Sequence, residues 1–520
     1  MQTCTVPHRL TGYIRIILLA TVFLSGILPV TLVHADEGDF AWVKAMGADK
    51  DDMGYSIVVD TSGNVYTTGS FRGTVDFDPG PGTYNLSSVG TVNAVFISKL
   101  DSSGNFLWAK AISGANCIGQ SITVDNSGNV YTTGFFWYTI DFDPGPGTSN
   151  LESEGWSDIF ILKLDSNGDF VWAKAMGGTL YDNAYGIAVD TSGNVYTTGY
   201  FQGTADFDPD ESTSETLTST GGSQDIFVSK LDSNGDFVWA KAIGGTSNDI
   251  GYGLALDTSG NVYTTGIFQG TVDFDPGTGT YDLSNPSYNA AFISKLDTDG
   301  DFVWAKSMEG TLAASEGYGI SVDTSGNAYT TGYFNGTGTV DFDPGPGTYH
   351  LNSTAGSQDI FVSKLDTSGN FVWAKAIGGS SNDKGYCLAI DASGNVYTTG
   401  YFQGTADFDP GTGTYNLNSI GSSQDIFASK LDSNGDFVWA KAMGGTQYEY
   451  GKGIAVDTSG NTHITGYFKG TTDFDPGPGT FNLTSTDDSE DIFIVRLGES
   501  FPWSIFMPAI TKKKVNQGDR

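Results

Sequence analysis

The sequence predicts an all-β fold, a seven-bladed β-propeller of four-stranded antiparallel blades whose ring is closed by the N-terminal strand. Three observations predict it. A segment typified by residues 186–201, GIAVDTSGNVYTTGYF, recurs from end to end. Aromatic residues recur in step with it, and the two ends of the chain are complementary parts of one unit. Long-period repetition of this kind indicates one supersecondary unit used many times.

The repeat is located by an aspartate that ends the first apolar run of each copy. Successive aspartates are 65 to 68 residues apart. They are Asp60, Asp125, Asp190, Asp257, Asp323, Asp391 and Asp457. This near-constant spacing predicts seven units, which are numbered 1 to 7 in chain order.

One full unit, residues 186–245, contains four predicted strands. GIAVD is apolar and ends at TSGN, whose serine, glycine and asparagine suit a tight hairpin. VYTTGYF is β-branched and aromatic, as strands are. After a long loop, DIFVSKLD and DFVWAKAIGG form two more strands around the turn SNG. Four short antiparallel strands in each unit are typical of a propeller blade.

Each unit also has a tryptophan on its fourth strand and a phenylalanine on its third. The tryptophans are Trp42, Trp108, Trp172, Trp239, Trp304, Trp373 and Trp439. The phenylalanines are Phe96, Phe160, Phe227, Phe292, Phe361, Phe427 and Phe493. A large aromatic side chain at the same place in every unit favours packing between blades over a ligand cage.

The two ends of the repeat region predict how the ring closes. Residues 39–44, DFAWVK, match a fourth strand, whereas unit 7 ends with its third strand, Asp491–Leu497. The N-terminal strand therefore supplies what the last unit lacks. Closure of this kind removes open sheet edges, while an open solenoid would need capping units.

The motifs GIAVDTSGNVYTTG and DIFVSKLDSNGDFVWAKAIGG resemble the bacterial SBBP-type β-propeller repeat, a relative of NHL-like seven-bladed propellers. The resemblance covers roughly residues 39–497. It implies a secreted or surface-exposed prokaryotic propeller, and it implies no shared catalytic residues.

Three segments are predicted: a signal peptide at 1–35, the propeller at 36–498 and a C-terminal tail at 499–520. The first has a basic start, an apolar run and the cleavage-like Val33-His34-Ala35. A retained anchor helix is the alternative; after cleavage no transmembrane span is expected. The tail contains FPWSIFMPAI followed by TKKK, and either packs on the propeller or serves in docking or sorting.

Charge and cysteine content restrict the partners. Residues 1–35 contain two arginines and no acids, so the rest of the chain has 23 basic and 60 acidic residues, a net charge of −37. Such a charge opposes nucleic-acid binding. Cys117 and Cys387 fall in units 2 and 6, which favours free thiols, although a bridge stays open. The expected partner is an extracellular protein or glycan, and the expected state is a monomer.

Acidic residues cluster on the face with the long loops. Every unit carries Asp-Phe-Asp-Pro, whose two carboxylates point to one side of an extended chain. One further acid begins most third strands, and another precedes most first strands. Clustered carboxylates suit Ca²⁺, although an aspartate before Pro-Gly also caps its own turn. The calcium candidates, from the units that have every acid, are Asp206, Asp208, Asp225, Asp182, Asp407, Asp409, Asp425, Asp383, Asp473, Asp475, Asp491 and Glu449.

Catalytic motifs are scarce. After residue 35 the histidines are His350 and His463, in different units, and the sequence lacks GxSxG, HExxH and a zinc cysteine pair. We therefore expect no enzyme and no certain cofactor, but a secreted binding or structural module. A propeller lectin, and a calcium-dependent lyase or hydrolase acting on an extracellular polymer, stay open. Features that break the repeat symmetry are Phe136-Trp137-Tyr138 with Trp156, Asp210-Glu211 and Gly336-Thr337-Gly338.

Overall fold

The computed structural model describes residues 38–210 and 212–498. In these residues the fold is all-β, as predicted, with 36 strands and four single-turn 3-10 helices. The predicted signal peptide and tail lie outside the described residues, as does Glu211. Among the described residues, no helix is long and apolar enough to cross a membrane.

The four strands of each unit follow the predicted motifs. The first strands are β2 (Met53–Val59), β8 (Cys117–Val124), β12 (Asn183–Val189), β18 (Ile250–Leu256), the second half of β21 (Phe302–Val322), β26 (Lys384–Ile390) and β32 (Glu449–Val456). The second strands are β3 (Val65–Phe71), β9 (Val130–Asp141), β13 (Val195–Gln202), β19 (Val262–Asp273), β22 (Ala328–Asp341), β27 (Val396–Gln403) and β33 (Thr462–Lys469).

The third and fourth strands of each unit come from the motifs DIFVSKLD and DFVWAKAIGG and their equivalents. The third strands are β6 (Ala94–Leu100), β10 (Asn150–Leu164), β16 (Gln224–Leu231), β20 (Asp282–Leu296), β24 (Asp359–Leu365), β30 (Gln424–Leu431) and β36 (Glu490–Leu497). The fourth strands are β7 (Phe106–Ile112), β11 (Phe170–Gly178), β17 (Phe237–Ile243), the first half of β21, β25 (Phe371–Gly379), β31 (Phe437–Gly445) and β1 (Phe40–Met46). Within units the strands pair antiparallel in chain order, as in β12-β13-β16-β17.

The long loop forms a small hairpin that joins the preceding unit. These hairpin strands are β4 (Thr74–Asp76), β5 (Asn85–Ser87), β14 (Thr204–Asp206), β15 (Thr216–Thr218), β23 (His350–Leu351), β28 (Thr405–Asp407), β29 (Asn416–Asn418), β34 (Thr471–Asp473) and β35 (Asn482–Thr484). β14, for example, pairs with β11 of unit 2. In units 3, 5, 6 and 7 a 3-10 turn precedes the third strand: Thr220–Gly222, Thr354–Gly356, Ile420–Ser422 and Thr486–Asp488.

The phenylalanine between the two aspartates of the long loop enters the core. Phe207 is fully buried, and its ring lies 5.5 Å from that of Phe201 and 5.1 Å from that of Phe227. The same residue is fully buried in all seven units. Phenylalanine and carboxylates therefore point to opposite sides, as the extended Asp-Phe-Asp predicts.

The fourth-strand tryptophans pack against the next unit, as predicted. Trp172 Nε1 of unit 2 donates a hydrogen bond to the Ser233 carbonyl of unit 3 at 3.3 Å, and Lys163 Nζ donates to the same oxygen at 3.1 Å. Lys174 lies beside Trp172 and forms an ion pair with Asp236 of unit 3. These contacts fix adjacent sheets face to face.

The N-terminal strand β1 pairs with β36, the third strand of unit 7, and Val43 is opposite Val495. Its side chains also reach unit 1: Trp42 and Lys44 lie against Gly104, the place that Trp108 and Lys110 take against Gly168. The first strands pack side by side in chain order, and β32 of unit 7 contacts β2 of unit 1. A hydrophobic cluster containing Met46, Ile57 and Ile492 spans the same boundary.

Candidate functional site

The aspartate that marks each unit stabilises its own turn. Asp190 Oδ1 accepts the backbone N–H groups of Ser192 and Asn194, and Oδ2 accepts the side-chain amide of Asn194 and the Tyr196 hydroxyl. All four hydrogen bonds are local, and the same arrangement recurs in unit after unit. The aspartates of the Asp-x-Ser-Gly-Asn turns are therefore structural.

The Asp-Phe-Asp carboxylates also cap their own loop. Asp206 Oδ1 accepts the N–H groups of Asp208 and Glu215 at 3.0 and 2.9 Å. Asp407 Oδ1 does the same for Asp409 and Tyr415. The turn-capping interpretation thus describes how these aspartates are held. These turn-capping hydrogen bonds use Oδ1 of Asp206 and Asp407, so the Oδ2 atoms are left for other contacts.

The other two sets of predicted acids meet across unit boundaries rather than within one unit. The third-strand acid of one unit lies beside the first-strand acid of the next, close enough for each carboxylate to affect the other's ionisation. The five pairs are Asp158 with Asp182, Asp225 with Asp249, Asp359 with Asp383, Asp425 with Glu449, and Asp491 with Asp52. We call these the acid junctions. The sequence analysis assigned the two acids of one unit to the same site, whereas in the structure each acid lies beside an acid of a neighbouring unit.

Both members of an acid junction are buried, and backbone groups bind them. Asp182 accepts the N–H groups of Gly178 at 2.7 Å and Gln202 at 3.0 Å, and Asp225 accepts that of Thr220 at 2.7 Å. Burial raises the pKa of Asp182 to about 7 and that of Asp158 to about 8. It likewise raises the pKa of Glu449 to about 8. Loss of hydration disfavours the charged form, which is why these carboxyls hold protons near neutral pH.

Units 1 and 2, and units 4 and 5, meet without this pair of acids. The third-strand position holds Ala94 or Ala290, and the first-strand position holds Cys117 or Ser315. A third residue changes with them. At acid junctions a glycine follows the fourth strand's last apolar residue, as at Gly244, where an added Cβ would collide with the Asp225 carboxyl group. At the two junctions without the acid pair, Ser113 or Glu309 takes the place of that glycine.

The Asp-Phe-Asp loop of one unit faces the acid junction on its preceding side. Asp206 and Asp208 line a groove with Asp158, and Asp407 and Asp409 line the equivalent groove with Asp359. Within residues 38–210 and 212–498, no group of three or more His, Cys, Asp or Glu side chains is placed to hold a metal ion. Calcium binding at the predicted residues stays a prediction.

A second feature, which the sequence analysis missed, is a chain of aromatic rings at the ends of the first and second strands. Neighbouring ring centroids along it lie 5.0 to 6.4 Å apart. Its members, from units 2 to 7, are Trp137, Phe135, Tyr185, Tyr200, Tyr252, Tyr318, Tyr333, Tyr386, Tyr401, Tyr448, Tyr450 and Tyr467. We call this chain the tyrosine array.

The array is built on one repeat position, five residues before the marker aspartate. The seven residues there are Tyr55, Gln120, Tyr185, Tyr252, Tyr318, Tyr386 and Lys452. Because the first strands pack side by side, the four tyrosines of units 3 to 6 touch across units, as Tyr252 touches Tyr318 at 5.0 Å between centroids. All seven are half-buried. A tyrosine that recurs in an otherwise apolar first strand was the sequence signal for the array, and the sequence analysis did not use it.

Several polar groups of the array have no protein partner among the described residues. Some hydroxyls are bonded: Tyr318 donates to Glu316, and Tyr200 accepts from Asn183. No hydrogen bond is made within the described chain by the hydroxyls of Tyr252, Tyr386, Tyr401 and Tyr467. This set is therefore available to water or to a ligand.

The symmetry-breaking residues named from the sequence have separate surroundings. Trp137 belongs to the array, Phe136 is in the core, and Tyr138 is 72 % exposed. Trp156, 55 % exposed, stacks on Tyr181 with centroids 5.3 Å apart. Other features of this kind are local: Asp210 caps Ser212, and Gly336 accepts a hydrogen bond from the Ser353 hydroxyl.

The histidines and cysteines form no catalytic arrangement with one another in the described structure. His463 replaces the second-strand tyrosine of unit 7, is buried, and lies 3.5 Å from the marker aspartate Asp457. His350 is exposed on β23. Cys117 and Cys387 are free thiols, and burial raises the pKa of Cys117 to about 12.

Comparison with known families identifies the repeat. The family model described as a β-propeller repeat, SBBP, matches residues 42–70, 171–203, 238–266 and 304–338. The chain carries SBBP-type β-propeller repeats. The matched stretches of this SBBP chain cover fourth strands and the first and second strands that follow, so the recognised unit crosses the boundary described above. A model described as a sperm-tail PG-rich repeat also matches residues 78–112, within one unit.

Two curated relatives of this SBBP-repeat chain are much longer. An uncharacterized WD repeat-containing protein of Acanthamoeba polyphaga mimivirus is 25% identical over 455 residues, 74% of this chain and 33% of the viral protein. The regulatory protein FlaEY of Caulobacter vibrioides is 27% identical over 143 residues, 27% of this chain and 15% of its own. The chain therefore spans a third or less of either relative. The crystal structure of Sqt1 from Chaetomium thermophilum aligns with a TM-score of 0.38 at 10% identity, over 90% of this chain and 100% of that one.

Proposed function

We propose that this protein is a secreted, seven-bladed β-propeller that binds an extracellular glycan through the tyrosine array. Seven blades are supported by the seven equivalent sets of four strands. Ring closure is supported by the antiparallel pairing of β1 with β36 and by the contact of β32 with β2. Export rests on the apolar, cleavage-like segment at residues 1–35.

One observation carries the binding proposal: the array combines half-exposed aromatic faces with hydroxyls that have no hydrogen-bond partner among the described residues. Binding sites combine apolar, aromatic walls with a few placed polar groups. A pyranose ring has C–H groups that pack on an aromatic face and hydroxyls that exchange hydrogen bonds with tyrosine. Because the array is built from several units, it offers consecutive faces to consecutive sugars.

The test is a glycan array probed with the purified protein and with two variants. In Tyr252→Gln/Tyr386→Gln, two rings become glutamine, the residue that unit 2 carries as Gln120. The control Tyr415→Ser changes an exposed tyrosine outside the array to the serine found in unit 2 as Ser149.

We expect the double variant to bind its best glycan about tenfold more weakly, because two ring contacts are each worth roughly 0.5–1.5 kcal/mol. The control should bind as the parent does, and both should melt close to the parent. Equal binding by parent and double variant would refute the array as the site. Turnover of the glycan would instead support the lyase or hydrolase alternative, and binding restricted to proteins would overturn the glycan proposal.

A further inference from the structure

Two lysines at the tyrosine array are placed differently from the lysines of the repeat. Third-strand lysines such as Lys163 donate to turn carbonyls, and fourth-strand lysines such as Lys174 pair with aspartates. Lys384 and Lys452 do neither, and their side-chain ammonium groups form no hydrogen bond or ion pair with any other described residue. A half-buried ammonium without a hydrogen-bonding partner is costly.

Three aromatic rings lie around the ammonium group of Lys452, and one lies beside that of Lys384. Lys452 Nζ lies 3.6 Å from the ring centroid of Tyr386, 5.3 Å from that of Tyr450 and 5.7 Å from that of Tyr467. Lys384 Nζ lies 4.2 Å from the centroid of Tyr333. Ring faces attract a cation but accept no conventional hydrogen bond, so the ammonium N–H donors of both lysines have no acceptor within residues 38–210 and 212–498.

The nearby carboxylates do not neutralise this pair. Glu316 attracts Lys384, but its oxygens accept hydrogen bonds from Asn289 and Tyr318. Glu490 attracts Lys452 less than Lys384 repels it. Neither glutamate forms an ion pair with either lysine. Lys384 is therefore near enough to Lys452 to lower the pKa of its ammonium group, in a chain whose net charge is −35.

The repeat itself does not require these charges. The position of Lys452 is tyrosine in five units and glutamine in one. The position of Lys384, seven residues before the marker aspartate, has these residues in the other units: Met53, Ile118, Asn183, Ile250, Glu316 and Tyr450. Blades fold with neutral residues at both positions, so folding does not explain two neighbouring lysines there.

We infer that the glycan bound by the array is acidic, and that Lys384 and Lys452 bind the carboxylate of a uronic acid residue. This inference rests on the proposed function. A carboxylate accepts charge-assisted hydrogen bonds from both ammonium groups, while the sugar ring lies against the neighbouring tyrosines. The anion relieves the repulsion between the lysines, which neutral sugars cannot do.

The test compares matched probes by isothermal titration: hexamers of galacturonate and of mannuronate, each as the free acid and as the methyl ester. Esterification removes the charge and keeps the sugar. The protein variants are Lys452→Tyr and Lys384→Ile, which copy other units, and their double variant. Lys110→Gln, a fourth-strand lysine that pairs with Asp169, is the control.

We expect the parent and the control to bind at least one acid hexamer about tenfold more tightly than its ester, with the difference shrinking at high salt. The double variant should bind acid and ester alike, with ester binding unchanged. Equal affinity for acid and ester in the parent would overturn the inference and leave glycan binding standing. Binding to none of the four probes would overturn the inference as well. The proposed function would fail separately, through a glycan array without binding.

Discussion

The acid junctions and the two junctions without the acid pair solve the same packing problem in different ways. At an acid junction such as that between units 3 and 4, Asp225 lies over Gly244 and beside Asp249. Between units 4 and 5, Ala290 leaves room for Glu309, and Ser315 donates to the Met308 carbonyl at 2.7 Å. The positions of Asp225, Gly244 and Asp249 change together from junction to junction. The residues at each junction therefore pack as one group.

That comparison shows what the buried acids contribute. Blades join without them, so they are not needed for the propeller repeat. They replace neutral contacts with carboxyl groups that accept backbone N–H groups while losing hydration. Acid junctions should therefore respond to pH and to cations through their paired carboxyl groups, and the two junctions without the acid pair should lack that response.

The largest effect is expected where an acid junction joins the two ends of the chain. Deleting residues 36–45 removes all of β1 except Met46 and leaves β36 with an unpaired edge, which favours aggregation. We expect melting to begin well below that of the parent, with hydrogen exchange fastest in residues 449–497. A deletion variant that melts as the parent does would refute closure by the N-terminal strand.

A smaller loss of stability is expected from placing in an acid junction a residue that is found at a junction without the acid pair. Gly244→Ser copies Ser113, but its Cβ meets the Asp225 carboxyl group. Overpacking of this kind costs about 1–3 kcal/mol. Adding Asp225→Ala, which copies Ala94, should restore most of the stability in urea unfolding. If the double variant is no more stable than Gly244→Ser alone, the three positions are not coupled as argued.

Sequence reasoning reached the strands of every unit because each strand is one short motif repeated at a fixed interval. It assigned the packing role of Trp172 for the same reason. It missed the pairing of Asp158 with Asp182, since those residues belong to different units and a repeat alignment compares like with like. It also missed the tyrosine array, because Tyr185 and Tyr252 look unremarkable until neighbouring strands bring them together.

The acid junctions predict a pH-dependent stability. Burial raises the pKa of Asp182, Asp249 and Asp383 to about 7, against roughly 4 for an unfolded aspartate. Between these values the folded protein holds protons that the unfolded chain has released, so stability falls as pH rises from about 4 to 7. Melting scans should show this fall. The triple variant Gly244→Ser/Asp225→Ala/Asp249→Ser, which removes one acid junction, should show a shallower one; an equal slope would place the titration elsewhere.

A second pH effect, on ligand affinity, is expected at the tyrosine array, and it comes from a lysine rather than from carboxyl groups. Burial, the charge of Lys384 and, in the other direction, Glu490 set the pKa of Lys452 at about 7, with the rings of Tyr386, Tyr450 and Tyr467 around it. Lys452 therefore loses its charge as pH rises through 7. Affinity for an acidic hexamer should be several-fold higher at pH 6 than at pH 8.5, and Lys452→Tyr should flatten that profile. A pH-independent affinity in the parent would contradict this role for the lysine.

The smallest expected effect is that of calcium. A calcium ion in the groove of Asp359, Asp407 and Asp409 would compete with the protons of the acid junction, so its effect should appear at pH 8 and vanish near pH 5. We expect millimolar calcium to raise the melting temperature of chelator-treated protein by about 2 °C at pH 8, because binding to the folded state alone stabilises it. The variant Asp407→Asn/Asp409→Asn keeps side-chain oxygens that cap the turn but removes the charge, and should lose the shift. Absence of a shift in the parent would leave turn capping as the role of Asp-Phe-Asp, and a shift retained by the double variant would move the ion to another groove.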